Sequence, residues 1–521
     1  MSNPTRAITL RGFSVFTAIA CRRFRVVALA ISLAIPVVAA QTVPASAQDT
    51  ERREVDLSAD LISSDVVDGR RINRLVGNVV LADDSTTLRA YRATEYTDRD
   101  LIIFSGNVSV VEAGDTLKSD MLRYERRTKI GEASGRVELS DGDVRVYGPV
   151  ARYHADERHT VFRDGVTLVD SSATLTARLG DYWSREKRAL FREDVTLVDE
   201  RSTTTADSIE YFRESEVAEA RGNVVVSDER AGARRDTLSE TWLFSNHVRA
   251  ERREDRVSAF GNVLLLRVTA DSADAETDTL AVRSARLTSH ESDSLETLIA
   301  VGGVTIWSNT VAALADSLHS VRVTAPGDTT GAETVSLFRS PVLWYDETQI
   351  TGDTITVRLR DGEVDSLFVD GSAFLAQEDT VLSQIQQVAG ATLRGRFTDG
   401  DGEIVVGPGA NAVYFIESDG EPGGAMRVAS SYVTFVFAGD SLQAMRWAVD
   451  IDGTYYDEEI VPPSLGLDGL RWRPGERPLR GMWNAEGGRW DVVRGTWDVE
   501  RGTWDVERGT GNRQRMPPTP P

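Results

Sequence analysis

The chain has a single cysteine in 521 residues, so neither a disulfide framework nor a thiolate zinc site can be built from it. Its five histidines are scattered, too thin a supply for a histidine-rich metal centre. Lysine is almost missing: only Lys118, Lys129 and Lys187 occur. Arginine supplies the rest of the 59 basic residues along the whole length, a compositional bias that marks no phosphate pocket. Against 81 acidic residues the net charge is −22, which excludes a nucleic-acid backbone binder, because such affinity rests on cations neutralising phosphates. No G-x-S-x-G or H-E-x-x-H motif is present, and the acids are dispersed without a carboxylate pair. No enzyme, cofactor or metal is expected. Beyond residue 40, no apolar run approaches the ~18 residues of a membrane-spanning helix. The 41% hydrophobic content is nevertheless ample for a core.

The first 47 residues read as a secretory signal peptide. Arg6, Arg11, Arg22, Arg23 and Arg25 precede an apolar stretch from Val26 to Ala40, and Ala45-Ser46-Ala47 is a small-x-small cleavage pattern. Removal of these five arginines leaves 54 basic against 81 acidic residues, a net −27 for the exported chain.

What the sequence has in abundance is self-similarity. Gly77-Asn78-Val79, Gly106-Asn107-Val108, Gly135-Arg136-Val137, Gly222-Asn223-Val224, Gly261-Asn262-Val263 and Gly302-Gly303-Val304 are versions of one phrase, and Asp164-Gly165-Val166 and Glu193-Asp194-Val195 fill the gap. Anchors at 79, 108, 137, 166, 195 and 224 are 29 residues apart, with later ones at Val263, Val304, Val342 and Ala373. Two residues past the first seven stand Leu81, Val110, Leu139, Leu168, Leu197, Val226 and Leu265, the two-residue period of a strand face. Ala90, Ser119, Gly148, Ala177 and Ala206 make a column of small residues, and Tyr124, Tyr153, Tyr182 and Tyr211 another. Each unit is read as a short strand, a turn, a longer strand, a turn and a short strand, in an all-β core without persistent helical spacing. One unit buries too little to stand alone, but stacked units close a continuous interior, and the terminal strands leave open edges.

Weaker signals are read as structural. His154 and His159, beside Asp156 and Glu157, fall in a variable turn. Asp450-Ile451-Asp452-Gly453 lacks the remaining spacing of a calcium loop and reads as a hairpin, and Gly400-Asp401-Gly402 with Gly407-Pro408-Gly409 reads as a loop. Residues 376–483 are a less periodic β segment. Residues 484–521, where Arg494-Gly495-Thr496-Trp497-Asp498-Val499-Glu500 repeats at once, read as a low-complexity disordered tail.

The phrase G-N-V-x-L, followed by a small residue, Asp, an aliphatic and then Tyr, resembles the repeat of the OstA/LptA-type family of lipopolysaccharide-transport proteins. The second half stands here as Ser119-Asp120-Met121-Leu122-Arg123-Tyr124 and Ala206-Asp207-Ser208-Ile209-Glu210-Tyr211, and more loosely at Ala315-Asp316 and Gly352-Asp353. The resemblance covers residues 52–375, room for two consecutive modules. It implies an elongated periplasmic β-jellyroll that holds the acyl chains of lipopolysaccharide, or lipid A, between two facing sheets. It further implies edge-strand pairing with other transport components or with an outer-membrane barrel. The lipid-facing candidates are Val79, Leu81, Val108, Val110, Val137, Leu139, Val166, Leu168, Val195, Leu197, Val224, Val226, Val263 and Leu265. The competing expectation is a structural or adhesive β-solenoid spacer whose interior is simply full.

Overall fold

A computed structural model describes residues 56–478, with gaps at 83–85, 113–114, 141–144, 155–156, 170–172, 184–185, 200–201, 213, 232–236, 272–276, 293–294, 310, 324–331, 361–362, 399–400, 419–420 and 440, and the backbone of four short strands between 481 and 507. The expected leader therefore lies outside the described residues. Among them are 36 strands, three single-turn 3-10 segments and no α-helix. Every described pairing within the main sheet is antiparallel, joining neighbours in sequence or strands a short step apart. The described residues are all-β, built of long antiparallel strands.

Two compact units are present. One is built on residues up to Glu229 with Leu243–Phe260, the other on Arg230–Trp242 and the residues from Gly261. In the N-terminal unit the strands are β1 (Asp56–Ser58), β2 (Leu61–Val67), β3 (Arg70–Ala82), β4 (Thr86–Tyr96), β5 (Leu101–Glu112), β6 (Asp115–Glu125), β7 (Ile130–Ser140) and β8 (Arg145–His154). They continue with β9 (His159–Arg163), β10 (Val166–Val169), β11 (Ala173–Ala177), β12 (Leu179–Trp183), β13 (Arg188–Asp199), β14 (Ser202–Phe212) and β15 (Val217–Ala231).

The Gly-Asn phrase is not a turn. The segment before each anchor and the anchor itself belong to one strand, bent in the middle. Gly106 and Asn107 have φ +78° and +49° inside β5, and Gly222 and Asn223 have +75° and +45° inside β15. At each such pair the register slips: Ser105 faces Met121 and Val108 faces Ser119, so the two residues on β5 oppose only Asp120. This is a β-bulge, which bends its strand sharply. The repeating unit is thus a hairpin of two long strands, both passing through the elbow row: the two expected turns are present, and the short strand that closes one unit is continuous through the elbow with the short strand that opens the next. The sequence alone was ambiguous because Gly and Asn supply positive φ equally to hairpin turns and to bulges.

The second half of the motif completes the elbow. A Cβ on Gly77, Gly222 or Gly371 would collide with the side chains of Asp60, Asp207 and Asp353 respectively. Asn78 Nδ2 donates to Asp60 at 3.1 Å, Asn223 Nδ2 donates to Asp207 at 3.1 Å, and Arg136 Nε donates to Asp120 at 3.1 Å. Glycine clears the space, aspartate fills it, and the following Asn or Arg clasps the carboxylate. Hydrogen bonds from exposed Arg136 hold the Asp120 carboxyl below the usual carboxylate range. At Arg178 the polarity is reversed, with Glu193 3.5 Å away on the next strand.

In the C-terminal unit, elbows recur at Gly302-Gly303, Arg339-Ser340, Gly371-Ser372 and Val449-Asp450. The third is in the strand Glu363–Asp379, which runs through the expected boundary at 375. The second shifts one anchor: the residue after Arg339-Ser340 is Pro341, and Leu343 pairs with Ala313 in line with Ile306. Val342 therefore faces the opposite side, with Thr351 and Phe374. That side is also apolar, because residues 457–477 cross it. Leu467 joins a buried cluster with Phe374, Ala376, Val413, Phe415 and Ala425, backed by Leu465, Leu470 and Trp472. Gln349 Nε2 donates to the Arg471 carbonyl at 2.8 Å and its Oε1 accepts from Arg473 N at 2.9 Å, while Gln387 Oε1 accepts from Leu467 N at 2.8 Å. A sheet buried on both faces loses its clean alternation, so the anchor was misplaced.

Asp450 is likewise an elbow residue, its carboxylate 3.2 Å from the Ser431 hydroxyl, and Gly453 continues into a strand paired with Ala425–Ala429. The expected hairpin there does not form. Asp401–Gly407, expected within a loop, is a strand paired with both neighbours. Where a tail without structure is expected, two short hairpins stand, Gly481–Asn484 with Arg489–Val492 and Arg494–Asp498 with Thr503–Glu507, placing Trp483 opposite Trp490 and Trp497 opposite Trp504.

Candidate functional site

Each bent hairpin of the N-terminal unit has two limbs. The first carries the anchor and the small column, which face each other across strands: Val79 with Ala90, Val108 with Ser119, Val137 with Gly148 and Val195 with Ala206. The second carries Phe104, Phe162 and Phe191, then the tyrosines. The limbs close on one another. Leu117 and Leu139 of the first and Leu122, Ala133, Ala151 and Tyr153 of the second line a single cavity of about 20 Å³. Small residues are needed because the limbs close tightly on one another: a Cβ on Gly148 of the first limb would sit 3.2 Å from Phe162 of the second, and one on Gly180 of the second limb 3.2 Å from the anchor Val166.

The candidate row occupies this interior. Val79, Val108, Val110, Val137, Leu139, Val166, Leu168, Val195, Val224 and Val226, with Val263 and Leu265 of the other unit, are at most 4% exposed. Leu81 and Leu197 are half-buried. Within the N-terminal unit the row is continuous across consecutive hairpins and closed. A 20 Å³ void holds about one water, far short of an acyl chain, so entry of a chain requires the limbs to part.

The connections 97–100, 126–129, 155–158, 184–187 and 213–216, of which 155–156, 184–185 and 213 lie outside the described residues, join successive strands at the end of the second limb and mark one rim. Next to it on the inner face the tyrosines alternate with smaller residues, Tyr124 opposite Gly131, Tyr153 opposite Thr160 and Tyr182 opposite Ala189. On the outer face His159 is no solvated turn residue. Its ring stacks on Trp183 at 4.5 Å, its Nε2 lies 2.8 Å from Asp181 Oδ1, and Arg188 covers the other side of the indole at 3.9 Å. Asp181 is buried and also accepts from Arg192. His154 stacks on His159 at 5.9 Å, and burial, helped by Arg152, lowers its pKa. Glu219, equally buried, is held by Arg221 and by Arg249 Nη1 at 2.9 Å. Sequence reasoning missed these ion clusters because the columns at 152, 181 and 210 keep their spacing but change charge, from Arg to Asp to Glu. The described residues contain no group of three or more His, Cys, Asp or Glu placed to hold a metal, and no helix among them is long and apolar enough to cross a membrane.

No curated protein matches the chain. Among solved structures it is similar to LptH, the LptA-homologous periplasmic component of the lipopolysaccharide transport device from Pseudomonas aeruginosa, at 13% identity, covering 33% of this chain and 83% of that one with a TM-score of 0.10. Residues 54–229 match the family of OstA-like proteins. Those limits take in the strands β1 to β14 and every elbow from Gly77 to Gly222, so the likeness to OstA-like proteins lies in this part of the chain.

Proposed function

We propose that the chain is a periplasmic component of lipopolysaccharide transport whose OstA-like domain takes acyl chains between the two limbs of its bent hairpins, as a bridge or shuttle toward the outer membrane. The observation that carries this reading is the apolar row at a fixed 29-residue step, buried between the two limbs of the bent hairpins. Burial of acyl carbons contributes ~0.8 kcal/mol per methylene. A chain of a dozen carbons therefore supplies roughly 10 kcal/mol toward separating the limbs, enough to offset the loss of several side-chain contacts. The large negative charge is compatible with an anionic cargo because exposed charges are screened over ~8 Å at physiological ionic strength.

The spacer reading has one observation in its favour, the filled interior. Photo-crosslinking separates the two. A photoreactive residue at Val137 or Leu168, buried in the row, labels lipid A if the limbs admit acyl chains. Absence of label at both, with label appearing only at exposed control positions such as Arg89, assigns the repeats to a spacer.

A further inference from the structure

The bent hairpins of the C-terminal unit are longer than those of the N-terminal one, and their far ends are charged on the inner face. The strand Leu295–Ser308 begins seven residues before its elbow at Gly302, whereas β7 begins five before Gly135. The strand Arg256–Asp271 runs eight residues past its anchor Val263, whereas β5 ends four past Val108. On the second limb the inner face reads Ala300, Leu298, Glu296 from the elbow outward. Cross-strand partners extend the last position into a row: Glu296 faces Glu291 on one side and Arg322 on the other, and Arg322 faces Glu333. Glu333 is buried, and its Oε1 accepts from the Ser320 hydroxyl at 2.7 Å. On the first limb Arg267 follows Val263 and Leu265 at strand spacing, so it lies on their face, and it too is buried. Its charge acts on Glu296. A cation of one limb and a carboxyl of the other thus meet where the limbs end.

Such a cluster is no simple clamp. Charges drawn out of water recover in mutual attraction about what they lose in solvation, so a buried ion group adds little net stability. The balance then turns on the proton of one member. Glu291 and Glu333 oppose ionisation of Glu296, while Arg322 and Arg267 favour it; burial, the largest influence, and next Glu291 push its carboxyl up to about 7. Once that proton leaves, one more charge has to stay between the limbs. Parting the limbs returns the charge to water, so ionisation and opening favour one another. Toward the rim of the N-terminal unit the inner face carries instead Tyr124, Tyr153 and Tyr182 with their uncharged partners.

We infer that Arg267, Glu291, Glu296, Arg322 and Glu333 form a latch between the two limbs of the C-terminal unit, closed while Glu296 carries its proton and loosened when it ionises. The latch lets this unit open by itself, and it stands whatever the interior carries.

The test uses the full chain with Cys21→Ser, so that an introduced cysteine is the only thiol. Ser289→Cys is the reporter: Ser289 is buried, pairs with Leu298 and lies one inner position from Glu291. Ala300→Cys is a second reporter on the same face, and Ala133→Cys, buried on the second limb of the N-terminal unit, is the reference. Alkylation by iodoacetamide is timed at pH 5 and pH 8. Each rate is divided by that of the same variant in denaturant at the same pH, which removes the thiol's own titration. The corrected rates at 289 and 300 are expected to rise about tenfold from pH 5 to pH 8, while that at 133 stays within about twofold. Glu296→Gln, which keeps the shape and removes the charge, should abolish the rise. A rise that survives Glu296→Gln, no rise at either reporter, or an equal rise at the reference would each overturn the latch.

Discussion

At Gly222 one missing carbon decides whether the elbow forms. The backbone sits at φ +75° and Asp207 occupies the place of a Cβ. Gly222→Ala therefore combines a left-handed alanine, costing ~1–2 kcal/mol, with a collision that breaks the clasp from Asn223. The expected loss is roughly 2–4 kcal/mol in the unfolding transition of the N-terminal unit, measured with urea. Gly69, at φ +74° with nothing near its Cβ position, is the control: Gly69→Ala should cost only ~1 kcal/mol. Equal losses at the two glycines would remove the collision from the account. At this scale the sequence was informative where chemistry repeats. The anchors Val79, Val108 and Val137 were identified as interior residues because apolar alternation has one reading on a half-buried strand. The partners of the buried Asp181 and Glu219 were not, since ion pairs between neighbouring strands leave no fixed spacing in sequence.

Among the elements, the strands and the turns between them were legible from the 29-residue step, and the elbows were not, the segments on either side of each Gly-Asn pair being read as separate short strands. The crossing segment 457–477 left still less trace. It has no period, and its attachment depends on two glutamines 80 and 124 residues away in sequence. Gln349 is buried and both ends of its amide are used by the backbone around Trp472. Gln349→Ala leaves a carbonyl and an N–H without partners, at roughly 1–3 kcal/mol. Faster hydrogen exchange is expected at Arg473, with unchanged protection in strands of the N-terminal unit. Unaltered exchange at Arg473 would mean that Leu467 and Trp472 hold the segment unaided.

Over the whole molecule, the two units differ in what lines the inner side of their rims. Tyrosines stand there in the N-terminal unit. In the C-terminal unit Glu296 pairs across strands with Glu291 and Arg322, and Arg322 with the buried Glu333. Burial first, and the charge of Glu291 next, push Glu296 up to about 7. A carboxyl whose folded pKa exceeds its unfolded value binds its proton more tightly in the folded chain. Its contribution is therefore most favourable below the unfolded value of 4.5 and is lost as pH rises through about 7. Stability of the C-terminal unit should fall by roughly 2 kcal/mol over that window, a figure reduced for residual solvent contact. Glu296→Gln should flatten the slope and be the more stable form at pH 8. Parallel urea midpoints for both proteins at pH 5 and pH 8 would contradict it.

The clasps also dictate how such a chain can change length. Because the elbows at Gly77, Gly135 and Gly222 are clasped to the aspartate before them and the bulges keep one register along the sheet, the N-terminal unit can grow or shrink only by whole hairpins. Each 29-residue copy adds two strands, about 10 Å, and brings its own anchor, clasp and rim turn. An odd-sized insertion inside a strand would instead flip the following apolar residues outward. Tandem duplication is thus an easy way for this architecture to change its length, and chain length becomes a ruler graduated in hairpins.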